Sequence, residues 1–164
     1  MANSLLSDGD YRLWAMLCQA KDTMLKAREK ELIQYSISPE QATVLLVIQT
    51  LGEAATPAEI SRWMLRRHHT TLGILERMER KGLVSKTKDA VRKNLIRVTL
   101  TEKGQQAYYH STKIESIHKI ISYLSQEQCQ QLSPCLEKLR DAALKDLRNT
   151  VSKEFVTKQR PPFP

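Results

Sequence analysis

Lysine and arginine side chains are concentrated in one stretch of the sequence, residues 60–97. This stretch contains eleven basic and three acidic residues, and it therefore accounts for the whole net charge of +8 of the 164-residue chain. Taken together, the two flanking segments carry 15 basic and 15 acidic residues. A foldable segment with charge of one sign predicts a surface that binds a polyanion, because a solvated surface normally mixes both signs.

Residue types that would support catalysis or metal binding do not form a recognisable set. We find no Ser/His/Asp arrangement, phosphate-binding glycine loop or His-Glu-x-x-His motif, and we therefore expect no enzyme activity and no cofactor. Three cysteines without a Cys-x-x-Cys spacing indicate neither a disulfide framework nor a zinc ribbon. Cys18 lies on an apolar helical stripe, which favours packing over redox sensing.

The sequence offers no signal for a membrane or for export. It lacks an uninterrupted apolar run of about 18 residues, and its start has no basic flank followed by a long apolar stretch. We therefore expect a cytoplasmic protein without a membrane partner.

Helical periodicity dominates the elements that would position the basic segment. Residues 10–36 predict a long amphipathic helix, and a cap at Ser38 with Pro39 begins a buried helix that runs to about Leu51. A similar cap at Thr56 begins a short helix to about Leu65. These patterns favour a mainly α fold with a small β-hairpin wing.

A second short-range pair of elements follows. The spacing predicts a helix from His69 to Lys81, which Gly82 ends, and then two short strands joined by a charged loop. Thr101 is expected to begin one continuous helix that reaches about Leu124.

The last helix opens at Ser125 and contains Pro134. The proline predicts either a kink or a division into two helices, with Ser133 capping the second. The tail over residues 150–164 has no periodicity and is expected to be extended.

Two capped helices separated by about four residues cannot lie fully antiparallel, and this spacing is typical of a helix-turn-helix. The second helix would enter the major groove of DNA, and the hairpin would reach neighbouring phosphates or the minor groove. The candidate DNA contacts are Arg66, Arg67, His68, His69, Thr70, Thr71, Gly73 and Arg77 in the helical part, and Lys86, Lys88, Arg92 and Lys93 in the hairpin.

Over about residues 10–148 this arrangement resembles the MarR family of prokaryotic winged helix-turn-helix transcription regulators. The most specific segments are residues 75–84, Leu-Glu-Arg-Met-Glu-Arg-Lys-Gly-Leu-Val, and residues 98–104, Val-Thr-Leu-Thr-Glu-Lys-Gly. They match a recognition helix that ends in Lys-Gly-Leu-Val and a wing that closes in Leu-Thr-x-x-Gly. Their order and spacing are more specific than either segment alone.

The resemblance implies a homodimer that binds double-stranded DNA at a pseudo-palindromic operator, acts as a repressor and is released by a small-molecule effector. It implies dimerisation helices at residues 1–37 and 102–149, on either side of a DNA-binding domain at residues 38–101. The chain departs from the family in its wing, where Arg92, Lys93 and Asn94 replace Asp-Arg-Arg. Asp89 is a candidate for the missing acidic partner of the wing arginine.

Several residues permit two interpretations. Trp14, Tyr35 and Trp63 either line an effector site or pack in the core and dimer interface. The adjacent His68 and His69 favour DNA contact over passive exposure, and metal binding is disfavoured because neighbouring helical side chains point in different directions. The alternative function is a winged-helix module that binds protein or RNA instead of an operator.

Overall fold

The computed structural model describes residues 9–90, 92 and 94–150 of the chain. Its helices and strands, in chain order, are α1 (Gly9–Leu32), α2 (Pro39–Leu51), α3 (Pro57–Trp63), α4 (His68–Arg80), β1 (Val84–Lys88), β2 (Ile96–Leu100), α5 (Glu102–Ser111), α6 (Glu115–Ile121) and α7 (Gln126–Thr150). Single 3-10 turns follow α1 and α2. The predicted fold class, mainly α with a small hairpin, is confirmed. The predicted extended tail lies, beyond Thr150, outside the described residues.

The core forms around α2, which is apolar on most of its surface. Ser38 and Gln41 cap this helix reciprocally, each side chain binding the backbone N–H of the other. The side chains buried with α2 come from α1, α3, α4 and the hairpin: Leu32, Ile60, Ile74, Leu75, Met78, Leu83, Val84 and Val98. One apolar cluster therefore holds α3, α4 and the hairpin as a unit.

The hairpin is antiparallel, with Val84 opposite Leu100 and Lys88 opposite Ile96. Gly82, at a φ of 69°, turns the chain from α4 into β1, a left-handed conformation that favours glycine. The amide of Val98 donates to the carbonyl of Ala55 at 3.0 Å, and this bond connects β2 to the segment after α2. The wing is thus anchored to the same unit as the two helices before it.

The continuous helix predicted from Thr101 to Leu124 is wrong. The chain forms α5 and α6 with a break between them, where Ile114 adopts a positive φ of 41°. Two side chains of α1 stabilise the break: Arg28 donates to the carbonyl of Ser111 at the end of α5, and Glu31 accepts from the amides of Glu115 and Ser116, at 3.0 and 3.1 Å.

Arg28 and Glu31 also bind each other, with Arg28 Nη1 2.7 Å from Glu31 Oε1, and their side chains are only 10% and 11% exposed. Burial alone would raise the pKa of the Glu31 carboxyl, but the hydrogen bonds from Ser116 and Arg28 outweigh it and hold that pKa below its ordinary value. The charged form of Glu31 therefore stabilises the native state.

This gives a prediction for acid stability. Because the pKa of Glu31 is lower in the native than in the unfolded chain, its contribution is present above the ordinary glutamate pKa of about 4.3 and is lost as pH falls through the native value. We expect the free energy of unfolding of Glu31→Gln to be lower than that of the wild-type protein at neutral pH, and to fall less steeply as the pH is lowered. Urea unfolding from pH 7 to pH 3 measures both. Glu29→Gln, at an exposed position of the same helix, should follow the wild-type curve, and an identical slope for Glu31→Gln would contradict the assignment.

The last helix is continuous through Pro134, so of the two sequence interpretations the division into two helices is wrong. Ser133 donates its hydroxyl to the carbonyl of Cys129 at 3.0 Å and does not cap a second helix. Leu132, Leu136 and Leu139 of α7 are 43–48% exposed. In the described part of the chain, no helix combines the length and hydropathy that a bilayer crossing needs.

Candidate nucleic-acid interface

The turn between α3 and α4 consists of residues 64–67. Leu65 adopts a positive φ of 51°, and the amides of Leu65 and Arg66 donate back to the carbonyls of Arg62 and Ser61 at 3.1 and 3.0 Å. These bonds close a tight turn that changes the direction of the chain within four residues. The turn leaves Arg66 and Arg67 exposed, as predicted contacts with a polyanion require.

The first turn of α4 separates the predicted DNA contacts into exposed and buried residues. His69 is exposed and Thr70 is half-buried. His68 is exposed too, but its Nδ1 lies 3.3 Å from the hydroxyl of Ser61 in α3. Thr71 is 0% exposed. The structure therefore corrects the prediction for Thr71, whose buried hydroxyl donates to the carbonyl of Arg67 at 3.5 Å and is not available to a base.

Gly73 leaves open space on the exposed side of α4. A Cβ atom there would meet only Arg77 Nη1, at 3.7 Å. The guanidinium of Arg77 therefore lies back along the helix towards its N-terminus, which is the direction that helical side chains favour. Together, Gly73 and Arg77 give this side of α4 a flat backbone next to a positive charge.

The wing contributes cations of two kinds. Lys88 is exposed at the end of β1, and the side chain of Arg92 is exposed in the loop. Lys86 is half-buried, with its Nζ 2.8 Å from a carboxylate oxygen of Glu79 in α4. Lys93 lies outside the described residues. Lys86 thus links the wing to α4 in addition to its predicted phosphate contact.

Asp89, which the sequence suggested as the acidic partner of a wing arginine at residues 92–94, binds Arg97 of β2. Its Oδ2 lies 2.7 Å from Arg97 Nε, and its Oδ1 accepts from the amide of Arg92 at 2.8 Å. Arg97 also donates to the carbonyl of Glu53 at 2.6 Å. The base of the wing is therefore fixed to the turn after α2, and Arg97 is engaged inside the protein.

Lys81 is a second cation of the basic segment with an internal role. Its Nζ donates to the carbonyl of Ser36 at 2.8 Å and to Gln41 Oε1 at 3.2 Å, where α2 begins. Lys103 in turn donates to the carbonyl of Lys81 at 2.8 Å. Both lysines are exposed, and their charge alone did not show that they also bind the protein's own backbone, since these contacts join distant segments.

Sequence reasoning treated Glu40 only as part of the cap of α2. The structure places its carboxylate beside two predicted DNA contacts: Oε1 lies 3.2 Å from Arg66 Nη2, and Oε2 lies 4.0 Å from Arg77 Nη2. An acidic residue outside the basic segment gave no separate signal in the sequence.

The three aromatic residues proposed for an effector site lie in different surroundings. Trp14 is 64% exposed on α1, about 27 Å along the helix axis from Leu32 at its end. Tyr35 is half-buried and stacks on His110, with ring centroids 4.5 Å apart and the planes inclined by 12°. Trp63 packs against the core from α3.

Metal ligands do not cluster in the described part of the chain, where no group of three or more His, Cys, Asp or Glu residues is arranged to hold an ion. Cys18, Cys129 and Cys135 are free thiols. Cys18 and Cys129 are half-buried and Cys135 is exposed.

Known proteins with similar sequences and structures are DNA-binding regulators. A family model described as a winged helix DNA-binding domain matches residues 37–104. The chain is 23% identical to the transcriptional repressor MdtR of Bacillus subtilis over 154 residues. The aligned region covers 93% of this chain and 96% of the repressor.

Two solved structures extend the likeness over most of the chain. The organohalide-sensing transcriptional regulator RdhR, in its 2,4-dichlorophenol-bound form, is 29% identical with a TM-score of 0.82, over 96% of this chain and 90% of that one. A MarR variant from E. coli in complex with operator DNA is 23% identical with a TM-score of 0.68, over 78% of this chain and 91% of that one. At that identity the likeness to MarR shows a shared fold.

Proposed function

We propose that this chain acts as a homodimeric repressor that occupies a pseudo-palindromic operator. It is a winged helix transcriptional regulator of the MarR type that binds DNA. The observation that carries the proposal is the exposure of His69 and Arg77 on α4, on either side of the half-buried Gly73, together with the exposed wing cations Lys88 and Arg92. Groove-facing donors on a helix next to a basic hairpin match the chemistry of bases and phosphates.

In this proposal α4 lies in the major groove and the wing follows the adjacent backbone. Arg66, Arg67, Lys88, Arg92 and Lys93 contact phosphates, while His69 and Thr70 reach base edges. In a dimer, two recognition helices enter successive major grooves, so the half-site centres lie about 10 base pairs apart. Occupation of such a site within a promoter blocks transcription sterically.

Exposed apolar side chains at both ends of the chain support a dimer. Leu13, Trp14 and Met16 of α1 are 51–64% exposed, and α7 carries its own row of exposed leucines. Contiguous exposed apolar surfaces mark protein interfaces. We therefore assign residues 1–37 and 102–149 to dimerisation, and we call residues 38–101 the DNA-binding unit.

The proposal includes release from the operator by a small-molecule effector, because RdhR, similar over 96% of this chain, is described as organohalide-sensing. Of the three aromatic residues, Tyr35 is the strongest candidate for a contact with an aromatic ligand, because it stacks on His110. The Nδ1 atom of His110 is buried and has no hydrogen-bond partner among the described residues.

Selection of duplexes from a randomised pool tests the function directly. We expect enrichment of a two-fold symmetric sequence bound by two chains, measured by sequencing and by light scattering of the complex. Failure to enrich any duplex over the starting pool would overturn the proposal. Binding of single-stranded RNA or of a protein in that case would favour the alternative winged-helix interaction module.

Two single substitutions separate base reading from phosphate contact. His69→Ala is expected to lower the ratio of operator to non-operator affinity about tenfold, because it removes a base contact. Lys88→Ala should weaken both complexes alike and reduce the slope of log affinity against log salt by about one unit. Fluorescence anisotropy on both duplexes measures these changes. Equal losses on both duplexes for His69→Ala would refute its base-reading role.

A further inference from the structure

One carboxylate contacts two arginines of the candidate DNA-binding surface. Arg66 comes from the turn between α3 and α4, and Arg77 comes from the last turn of α4. Glu40 binds both of them through different oxygens, at 3.2 and 4.0 Å. We call Glu40, Arg66 and Arg77 the Glu40 cluster. It connects three elements of the DNA-binding unit.

The position of the Glu40 carboxylate is set by α2 and not by the arginines. Glu40 follows Pro39 in the first turn of a helix that Ser38 caps, where the helix dipole favours a negative charge. Its side chain is 31% exposed. The charge therefore stays beside the surface whether or not the arginines have another partner.

The arginines keep donors available for DNA while they bind Glu40. Their side chains are 48% and 53% exposed. Each contacts the carboxylate through a single amino group, and a guanidinium has five N–H donors. The open space beside Gly73, where a Cβ atom would lie 3.7 Å from Arg77 Nη1, accommodates the guanidinium of Arg77. The cluster thus orients two guanidinium groups while part of each faces outwards.

The carboxylate also lowers the local charge of the cluster from +2 to +1. Exposed ion pairs are weak, and phosphates can therefore still bind the arginines. Each such contact is nevertheless made next to a negative charge. Non-specific complexes depend almost wholly on phosphate contacts made in variable geometry. The negative charge and the oriented arginines therefore lower the affinity of non-specific complexes more than that of an operator complex, which adds base contacts.

We propose that Glu40 is a specificity-determining positioning residue, which orients Arg66 and Arg77 towards operator phosphates and weakens binding to non-operator DNA. The inference rests on the proposed function, since it presupposes that the chain prefers one duplex over others.

Three variants of the full chain test this role. Glu40→Gln removes the charge and keeps the shape, whereas Glu40→Asp keeps the charge. Glu59→Gln is the matched control, because it also removes one carboxylate from the DNA-binding unit, where Glu59 pairs with Arg62, which is not among the predicted DNA contacts. Each variant is titrated against the duplex that wild-type protein enriches from a randomised pool and against a scrambled duplex of equal length, at several salt concentrations.

We expect Glu40→Gln to lower the ratio of operator to scrambled affinity about tenfold, mainly by tighter binding to the scrambled duplex with a salt slope steeper by about one unit. Glu40→Asp should restore most of the ratio, and Glu59→Gln should leave it unchanged. An unchanged ratio for Glu40→Gln, weaker binding to both duplexes, or an equal change in Glu59→Gln would overturn the role of Glu40 while leaving the regulator proposal intact. A wild-type protein that prefers no duplex would overturn the proposed function, and this inference with it.

Discussion

Alanine at position 104 is expected to lower the free energy of unfolding by about 3 kcal/mol, the upper part of the range for overpacked interiors. A Cβ atom on Gly104 would lie 2.0 Å from the carbonyl oxygen of Leu83 and 3.0 Å from its carbonyl carbon. These are backbone atoms between α4 and β1, and that oxygen already accepts from the amide of Thr101 at 3.1 Å. Since neither side can rotate away, α5 must move off the turn that follows α4.

The same contact explains the Leu-Thr-x-x-Gly pattern at residues 100–104. The hydroxyl of Thr101 donates to the carbonyl of Gly82 at 2.6 Å and accepts from the amide of Gly104 at 3.0 Å. Thr101 thus caps α5 and binds the turn after the recognition helix, and Gly104 permits the close approach.

Gly73→Ala is the control for this prediction. It is also a glycine-to-alanine change inside a helix, but its Cβ has room, and we expect a gain of up to about 1 kcal/mol from helix propensity. Urea unfolding at one fixed chain concentration measures both variants, because dimerisation would couple stability to concentration. A Gly104→Ala protein as stable as wild type would contradict the packing described for α5.

Charged groups in the apolar row of α7 are expected to produce monomers and to lower operator affinity at least about a hundredfold. A dimer that has bound one half-site binds the second at a high effective concentration, and a monomer lacks this gain. Leu136 and Leu139 lie at the centre of that row and are 44% and 48% exposed in the single chain. We expect Leu136→Glu combined with Leu139→Glu to place two carboxylates in the interface without disturbing the core of the DNA-binding unit.

Lys138→Glu controls for the added negative charge, since its helical position places it on the opposite face of α7. Light scattering should give a dimer for Lys138→Glu and a monomer for the double variant, and operator titrations should follow the same order. A double variant that remains dimeric would exclude α7 from the interface. A monomer that keeps wild-type operator affinity would exclude a dimeric mode of binding.

Local signals in the sequence identified most of the fold. Caps at Ser38, Thr56 and Thr101, each followed by an apolar helical pattern, predicted the starts of α2, α3 and α5. Gly82 predicted the end of α4. These features depend on residues a few positions apart, and local pattern reasoning is effective for such features.

The break between α5 and α6 was not predictable in the same way. Its determinants, Arg28 and Glu31, lie 83–85 residues away from their partners. The apolar period of residues 114–124 is helical from Ile114 onwards, so it carried no sign that buried charges on another helix end one segment and begin the next.

The candidate site was predicted in outline and not in its internal contacts. Charge concentration identified the surface, whereas Lys81, Arg97 and Thr71 are committed to the protein's own structure. Glu40 shows the opposite omission, since an acidic residue 26 positions before its nearest arginine partner, Arg66, becomes part of the surface only after folding.

The joint at Arg28 and Glu31 has a consequence for how motion passes through the molecule. Both residues project from α1, one holding the end of α5 and the other the start of α6. Sliding or rotating α1 must therefore carry both helix termini with it. In the proposed dimer α1 also faces the second subunit, so a movement between subunits would displace α5, whose capping residue Thr101 is bound to the turn after α4.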